Sequence, residues 1–317
     1  DQPTTAGAIA RMLDMSGGRE PRVALGAEGA NGTADVYART TPEGKLRLVQ
    51  GLQAKGEVVV MTGDGVNDAP ALRAADVGVA MGRGSDVAKD AAALILMDER
   101  LETLLEGIAE GRTVFLNIQK AADFLLTCSM TTMMAVLLIM AAGFPLPLLP
   151  LQILYLNLLT HTFPALGLAL EPKEPEVLRR PPLPRHARLM PPRRLASILW
   201  HAVLISVATL TLGAFGLSHG GDAHGRTLIF TLLATALMLH TFSDRSTRVF
   251  GGWHGGNPKL FLFVGLAVLL QLLAVYLPPL RTLLGMTALD AQDWLGVLVA
   301  ALVVTVAIEL SKKALPP

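Results

Sequence analysis

The sequence predicts an α/β domain over residues 1–120 followed by an all-α bundle of six transmembrane helices over residues 121–317. Three observations carry this. Short β-branched runs alternate with helical stretches in the first part. Six long apolar stretches then follow one another from Phe124 to the end. Between strand and helix in the first part, the apolar run Glu57–Met61 feeds a Gly-punctuated turn, Thr62-Gly63-Asp64-Gly65-Val66-Asn67-Asp68-Ala69-Pro70.

The expected strands are Ala34–Ala38, Val58–Met61, Val77–Ala80 and Leu94–Leu96. Between the first two, Thr41 is placed to cap a helix with Pro42 at its first position, running to about Lys55. Strand–helix alternation implies right-handed crossovers and a parallel sheet covered by helices.

The apolar stretches are Phe124–Phe144, Leu148–Leu170, Leu195–Leu217, Thr227–Phe242, Leu260–Leu280 and Trp294–Leu310. A helix needs roughly 20 residues to cross a bilayer, and only the fourth is short. Buried helices of a soluble protein are the alternative, but such helices keep a polar face and these have none. The loop Glu171–Arg194 holds Lys173, Arg179, Arg180, Arg185, Arg188, Arg193 and Arg194, and Ser243–Lys259 holds Arg245, Arg248 and Lys259. The stretches Ser218–Arg226 and Pro278–Asp293, read as loops, carry one Arg each. The positive-inside rule puts the two basic loops, the α/β part and Lys312-Lys313 in the cytoplasm, with the chain in a plasma (inner) membrane. The Pro-rich basic loop also suits anionic lipid, beside the simpler reading of topogenic charge.

Composition agrees. The 317 residues are 51% hydrophobic and 17% charged, with a formal net charge of +1, so nucleic-acid binding has no electrostatic support. The mean hydropathy of +0.47 is high for a soluble protein. The single cysteine, Cys128, excludes an internal disulfide framework and reads as apolar filler rather than a metal ligand.

The turn after Met61 brings two carboxylates and an amide to the carboxyl end of a strand, where open α/β sheets bind ligands. Packed so closely, they suit a hard cation such as Mg2+, which prefers oxygen donors and shares its shell with phosphate. Read without further context, the same turn is an acidic strand–helix connection. The block T-G-D-G-V-N-D-A-P-A-L nevertheless resembles, residue for residue, the hinge signature of P-type ion-pumping ATPases, whose phosphorylation domain has a haloacid-dehalogenase-like, Rossmann-type fold. Asp76–Gly82, Ala88–Ala92, and Glu110-Gly111-Arg112 leading to Asn117-Ile118 also fit that family, as strand, turn and stalk.

The resemblance implies roles. Asp64 is the Mg2+ ligand and Asp68 its carboxylate partner, Asn67 holds phosphoryl oxygens, and Gly63 and Gly65 let the backbone approach the phosphate. Lys45, in Thr40-Thr41-Pro42-Glu43-Gly44-Lys45, corresponds to the lysine that neutralises the transferring phosphoryl group; alone it would be a solvated helix lysine. Asp1 would end the family's Thr-Gly-Asp motif. The family's nucleophile, the aspartate of Asp-Lys-Thr-Gly, does not occur here, and without it no acyl-phosphate forms. The expectation is therefore the carboxy-terminal third of a pump, inactive alone. Its ATP is bound mainly by an N-terminal part of the same protein, which also carries the actuator domain. Two other classes are a non-catalytic membrane remnant or subunit partnering a separate catalytic chain, and a phosphatase-like domain fused to unrelated helices.

In the membrane part, Pro145, Pro147 and Pro150 join two helices that resemble the fifth and sixth of calcium-pump-like members. Leu156-Asn157-Leu158-Leu159-Thr160-His161-Thr162-Phe163-Pro164 carries the match. There the family's proline unwinds the helix, and freed carbonyls face the cation. The implied path is Asn157, Thr160, His161, Ser129 and Thr132, with His161 where calcium pumps have an aspartate. None of these is acidic, and Asp123 and Glu309 lie near helix ends. Ca2+ wants several carboxylates. A monovalent cation on hydroxyl and carbonyl oxygens, a proton on His161, and a transition metal on His161 with Cys128 and nearby Met130, Met133 or Met134 stay open beside a purely structural His161. His201 and His240 read as interfacial.

Overall fold

The computed structural model describes residues 2–26, 34–98, 100–174, 176–181, 189–253 and 256–313. Asp1 and, from the basic loop, Arg185 and Arg188 lie outside them. The chain divides into two units, Asp1–Ala109 with Leu178–Ala187 and Glu110–Val177 with Arg188–Pro317.

The first unit runs α1 (Pro3–Met12), β1 (Val23–Leu25), β2 (Val36–Ala38), α2 (Pro42–Ala54), β3 (Val60–Gly63), α3 (Ala69–Ala74), β4 (Val77–Met81), α4 (Asp86–Ala91) and β5 (Leu94–Leu96). All described pairings are parallel, as the alternation requires, but they form two sheets rather than one. β1 pairs with β2, Val23 opposite Val36. β4 lies between β3 and β5, with Val60 opposite Val77 and Val79 opposite Leu94. Helix α2 starts as its sequence dictates: Thr41 Oγ1 accepts from the Gly44 N–H at 3.1 Å, and Pro42 occupies the first turn. Such a cap stabilises a helix by about 1 kcal/mol. Ser85 caps α4 the same way, accepting from Ala88 N–H at 3.2 Å. The core holding these pieces is small: Leu72, Ala80 and Ala88 are buried, with Met61, Ala91 and Ala92 packed on them.

The second unit is helical. The boundary between units falls inside α5 (Leu101–Ala141), so the shift from charged to apolar composition near residue 120 leaves no break in that helix. Then come α6 (Pro150–Tyr155), a π-helical turn (Leu156–Thr160), α7 (Thr162–Ala169), α8 (Pro192–Asp244), α9 (Pro258–Tyr276), α10 (Pro278–Leu283) and α11 (Ala291–Ser311). A straight helix of 53 residues would be about 80 Å long. α8 is not straight. Gly221 has φ 77° and ψ 175°, a left-handed backbone that favours glycine. A Cβ on Gly216 would lie 3.2 Å from Gly225 Cα, and one on Gly213 would lie 2.5 Å from Ile229 Cγ1. Residues 16 apart are about 24 Å apart along one helix, so the two runs of α8 fold back on each other. The stretch Ser218–Arg226, read from sequence as a loop, is thus helical apart from Gly221. The short helix α10 lies within another stretch read as a loop.

Among the described residues, four helices are long and apolar enough to cross a membrane: Glu102–Ala141, Pro192–Asp244, Pro258–Tyr276 and Ala291–Ser311. The core between helices is built from Phe124, Ile139, Leu156, Ile205, Phe230, Leu233, Ala267 and Ala301. The outward faces are just as apolar. Leu262, Leu269 and Leu272 of α9 and Leu295, Leu302 and Val303 of α11 are all exposed. A water-soluble helix would carry charge there; a lipid-facing one does not.

Candidate functional site

In the first unit the site forms where β3 stops. A Cβ on Gly63 would stand 2.6 Å from Cβ of Asp68, so only glycine lets the chain turn back this tightly. Val66–Asp68 makes one 3-10 turn that runs into α3. Asp68 is buried, and both its oxygens are engaged. Oδ1 accepts from Lys45 Nζ at 2.5 Å, and Oδ2 accepts from the Gly65 N–H at 3.2 Å. Burial by itself would raise this carboxyl's pKa. The hydrogen bond from Lys45, the Gly65 N–H and the Lys45 charge outweigh it and hold Asp68 below the usual carboxylate range.

The cap at Thr41 fixes where α2 begins and so where Lys45, at the end of its first turn, presents its ammonium. Asp64 and Asn67 are on the same loop with exposed side chains. The Asp64 carbonyl accepts from the Ser85 N–H at 2.8 Å, which pins the loop to the start of α4. The structure therefore brings Lys45, Gly63, Gly65 and Asp68 into direct contact and leaves Asp64 and Asn67 facing outward beside them. Asp68 is the anchor that orients Lys45. Asp64 is the carboxylate not tied up by a hydrogen bond or ion pair, an oxygen donor of the kind a hard cation takes.

In the second unit the helix expected to unwind before Pro164 instead stays helical and widens into a π turn. The His161 N–H reaches back five residues to the Leu156 carbonyl at 2.8 Å, widening the helix into a π turn. Pro164 has no N–H to offer the Thr160 carbonyl. Thr160 and His161 are buried, and Thr160 Oγ1 and His161 Nε2 have no hydrogen-bond partner. Phe124 of α5 stands edge-on to the His161 ring, centroids 6.5 Å apart. Thr132 is buried and donates to the Cys128 carbonyl at 2.9 Å. Asn157 and Ser129 are exposed. The five implied path residues are therefore not one buried cluster: three face into the helical unit and two face out of it.

The broken helix is held by polar ties. Gln152 Nε2 donates to the Leu284 carbonyl and Tyr155 OH to the Leu270 carbonyl, both at 2.9 Å. Past α7, Glu171 forms a two-pronged pair with Arg245 at 2.8 and 3.3 Å and accepts from Asn257 Nδ2 at 2.8 Å.

Comparison with known proteins decides what these two sites belong to. Residues 145–314 match the model of the cation transporting ATPase C-terminus, and residues 1–76 match that of haloacid dehalogenase-like hydrolases. The chain belongs to the cation-transporting ATPases. It is 35% identical over 300 residues to calcium-transporting ATPase 1 of Bacillus cereus, covering 88% of this chain and 34% of that one. With calcium-transporting ATPase 1 of Yarrowia lipolytica the identity is 40% over 269 residues, 83% of this chain and 29% of the relative. With probable cation-transporting ATPase F of Mycobacterium bovis it is 37% over 327 residues, 97% and 36%. The chain spans about a third of the length of these relatives. It corresponds to a portion of such an ATPase, and the apolar helices are those of a membrane protein.

Sequence reasoning misplaced one group of residues. His201 and His240, read as interfacial, are buried inside the helical unit, and their ring centroids are 5.0 Å apart. The signal was present: each is a polar residue inside an apolar run, and such residues face the bundle interior.

Proposed function

We propose that this chain is the carboxy-terminal part of an ATP-driven cation pump, supplying half of its phosphoryl-transfer site and most of its membrane path. The observation that carries this is the Lys45–Asp68 contact at the end of β3, with Asp64 and Asn67 presented beside it. Asp64 is the residue that would hold Mg2+, which supplies charge neutralisation to phosphate oxygens when bound. Asn67 orients those oxygens, and Gly63 and Gly65 let the backbone come close to them. Lys45, held in place by Asp68, faces the charge that develops on a transferring phosphoryl group. ATP and the nucleophilic aspartate belong to a segment outside this sequence, the N-terminal part of the same protein.

The membrane part is proposed to contain six spans. The two runs of α8 count separately, and α6, the π turn and α7 together make one broken span. The basic loops place the first unit and Lys312-Lys313 in the cytoplasm of a plasma (inner) membrane. The cation passes beside the π turn Leu156–Thr160, near which Thr160, His161 and Thr132 have buried polar side chains. The curated relatives are named for calcium. Here the position in question offers imidazole and hydroxyl groups, so the carried ion is proposed to be one that needs no carboxylate shell, a monovalent cation, a proton or a transition metal.

The test is ATP hydrolysis by the full-length protein in sealed vesicles against a panel of cations. Stimulation by a single class of cation, lost in Asp64→Ala, is the expected result. Hydrolysis that ignores every cation would favour a membrane subunit without transport activity of its own.

A further inference from the structure

One end of α8 gathers more buried charge than its partners account for. Asp123 of α5 lies 2.6 Å from Arg194. Glu309 of α11 accepts from Lys312 Nζ at 2.8 Å and from the Phe250 N–H at 2.5 Å, and Lys312 also donates to the carbonyls of Ser243 and Ser246. These two carboxylates and two cations pair off. A third carboxylate, Asp244, is left with no cation of its own, and its buried Oδ2 has no hydrogen-bond partner. Beside it stands His240, one turn earlier, with Nε2 3.3 Å from Asp244 Oδ1. That contact is close but badly aligned, so neither ring nitrogen of His240 has a hydrogen-bond partner although the side chain is fully buried. His201 stands across from it, with Ser197 Oγ at a long 3.5 Å from its Nε2. One donor atom each from His201, His240 and Asp244 lies within 4.8 Å of the others.

We propose that His201, His240 and Asp244 form a binding site for a divalent transition-metal ion of the zinc class. Unpartnered buried imidazole nitrogens and a carboxylate oxygen are costly as they stand. Together they form the N2O donor set that Zn2+, Co2+, Ni2+ or Cu2+ prefers. Ca2+ and Mg2+ are excluded by the donor count, since both require six or more oxygens. Metal–ligand bonds of about 2.0–2.1 Å place tetrahedral ligands about 3.3 Å apart. The His240–Asp244 pair already has that spacing, and the other separations, none above 4.8 Å, must shorten toward it on binding. Three protein ligands leave a fourth position open. With neutral histidines, Asp123, Asp244 and Glu309 against Arg194 and Lys312 leave one net negative charge, which a dication answers.

His201 and His240 lie on the two runs of α8, so a bound ion would tie the ends of the hairpin together. The site shares no residue with the Thr160–His161 path, and the inference stands whether or not that path carries the ion.

The experiment uses the full-length protein, stripped with a chelator and dialysed against micromolar Zn2+, with bound metal counted by mass spectrometry. Co2+ serves as a second probe through its visible d–d absorption. The expected result is at least one ion per chain in the wild type, with one site at least about 10-fold weaker in His240→Gln, His201→Gln and Asp244→Asn, and the same weakening when these changes are made in a His161→Ala background. If one variant fails to fold, the other two still test the assignment. Wild-type protein that retains no Zn2+ and gives no Co2+ band would overturn the proposal. So would an ion lost in His161→Ala and kept in His240→Gln.

Discussion

The Lys45–Asp68 contact makes a quantitative prediction, because its two partners sit in different solvents. The Asp68 side chain is 9% exposed and that of Lys45 is 38% exposed. Removing the lysine with Lys45→Met strands a buried carboxylate that keeps only backbone N–H partners, Gly65 first among them. Removing the charge with Asp68→Asn keeps the shape and one acceptor, and Lys45 turns to water. A charge-assisted hydrogen bond is worth about 1.5–3 kcal/mol, and the exposure of Lys45 discounts this toward the lower end. Lys45→Met should therefore cost about 2 kcal/mol of local stability and Asp68→Asn about 1 kcal/mol. The double variant should cost less than the sum, by about 1 kcal/mol of coupling.

The assay is amide hydrogen exchange of the full-length protein, followed over peptides covering β3, the 64–68 turn and α3. At about 1.4 kcal/mol per factor of ten, Lys45→Met should speed exchange about 30-fold and Asp68→Asn about 5-fold. The pH dependence has a definite sign. Because folding depresses the Asp68 pKa, the stabilisation is fully present above the ordinary carboxylate value of about 3.9 and is lost as pH falls through the depressed value. Wild-type protection in this turn should drop only below about pH 4, and that acid limb should vanish in Asp68→Asn. Singles that exchange at the wild-type rate, or a double variant that is strictly additive, would refute the idea that Asp68 holds Lys45.

Asp64→Ala in the full-length protein should abolish Mg2+-dependent phosphoenzyme formation while leaving exchange in β3 close to wild type; normal labelling from radioactive ATP would sink the assignment. His161→Ala should alter the cation dependence of ATP hydrolysis without loss of folded protein in detergent, and an unchanged cation profile would return His161 to a packing role. Gly221→Ala should destabilise the protein by about 1 kcal/mol through strain at a left-handed backbone position, and so lower its thermal midpoint in detergent; an unaltered midpoint would contradict the reversal there. Arg245→Ala should destabilise by about 3 kcal/mol, since it leaves buried Glu171 without its cation, and Arg245→Lys should rescue only part of this because one ammonium cannot form both prongs; full rescue would argue against the two-pronged geometry.

How much of this was legible beforehand depended on how far apart in sequence the cooperating residues lie. Strand β5 coincides with the expected Leu94–Leu96, and α2 falls within a residue of its expected end, because a cap, a proline and an apolar run are local signals. β1 went unseen: three residues between Arg22 and Gly26 make too short a run to stand out, and pairing with β2 is what makes Val23–Leu25 a strand. The Gly63–Asp68 loop was readable as a site because its parts are adjacent, but the engagement of both Asp68 oxygens was not, since Lys45 is 23 residues away. The His201–His240 pair is the extreme case. The expected turn over Ser218–Arg226 between two apolar spans does not say which residues, 39 positions apart, stand level until Gly221 is known as the point of reversal. Then the arithmetic is plain: one lies 20 residues before the glycine and the other 19 after, each about 30 Å from the turn, and two runs of matched length must bring them to the same level. The left-handed backbone of Gly221, within the Gly- and His-rich stretch Ser218–Arg226, thus carries more information about this end of the bundle than either histidine.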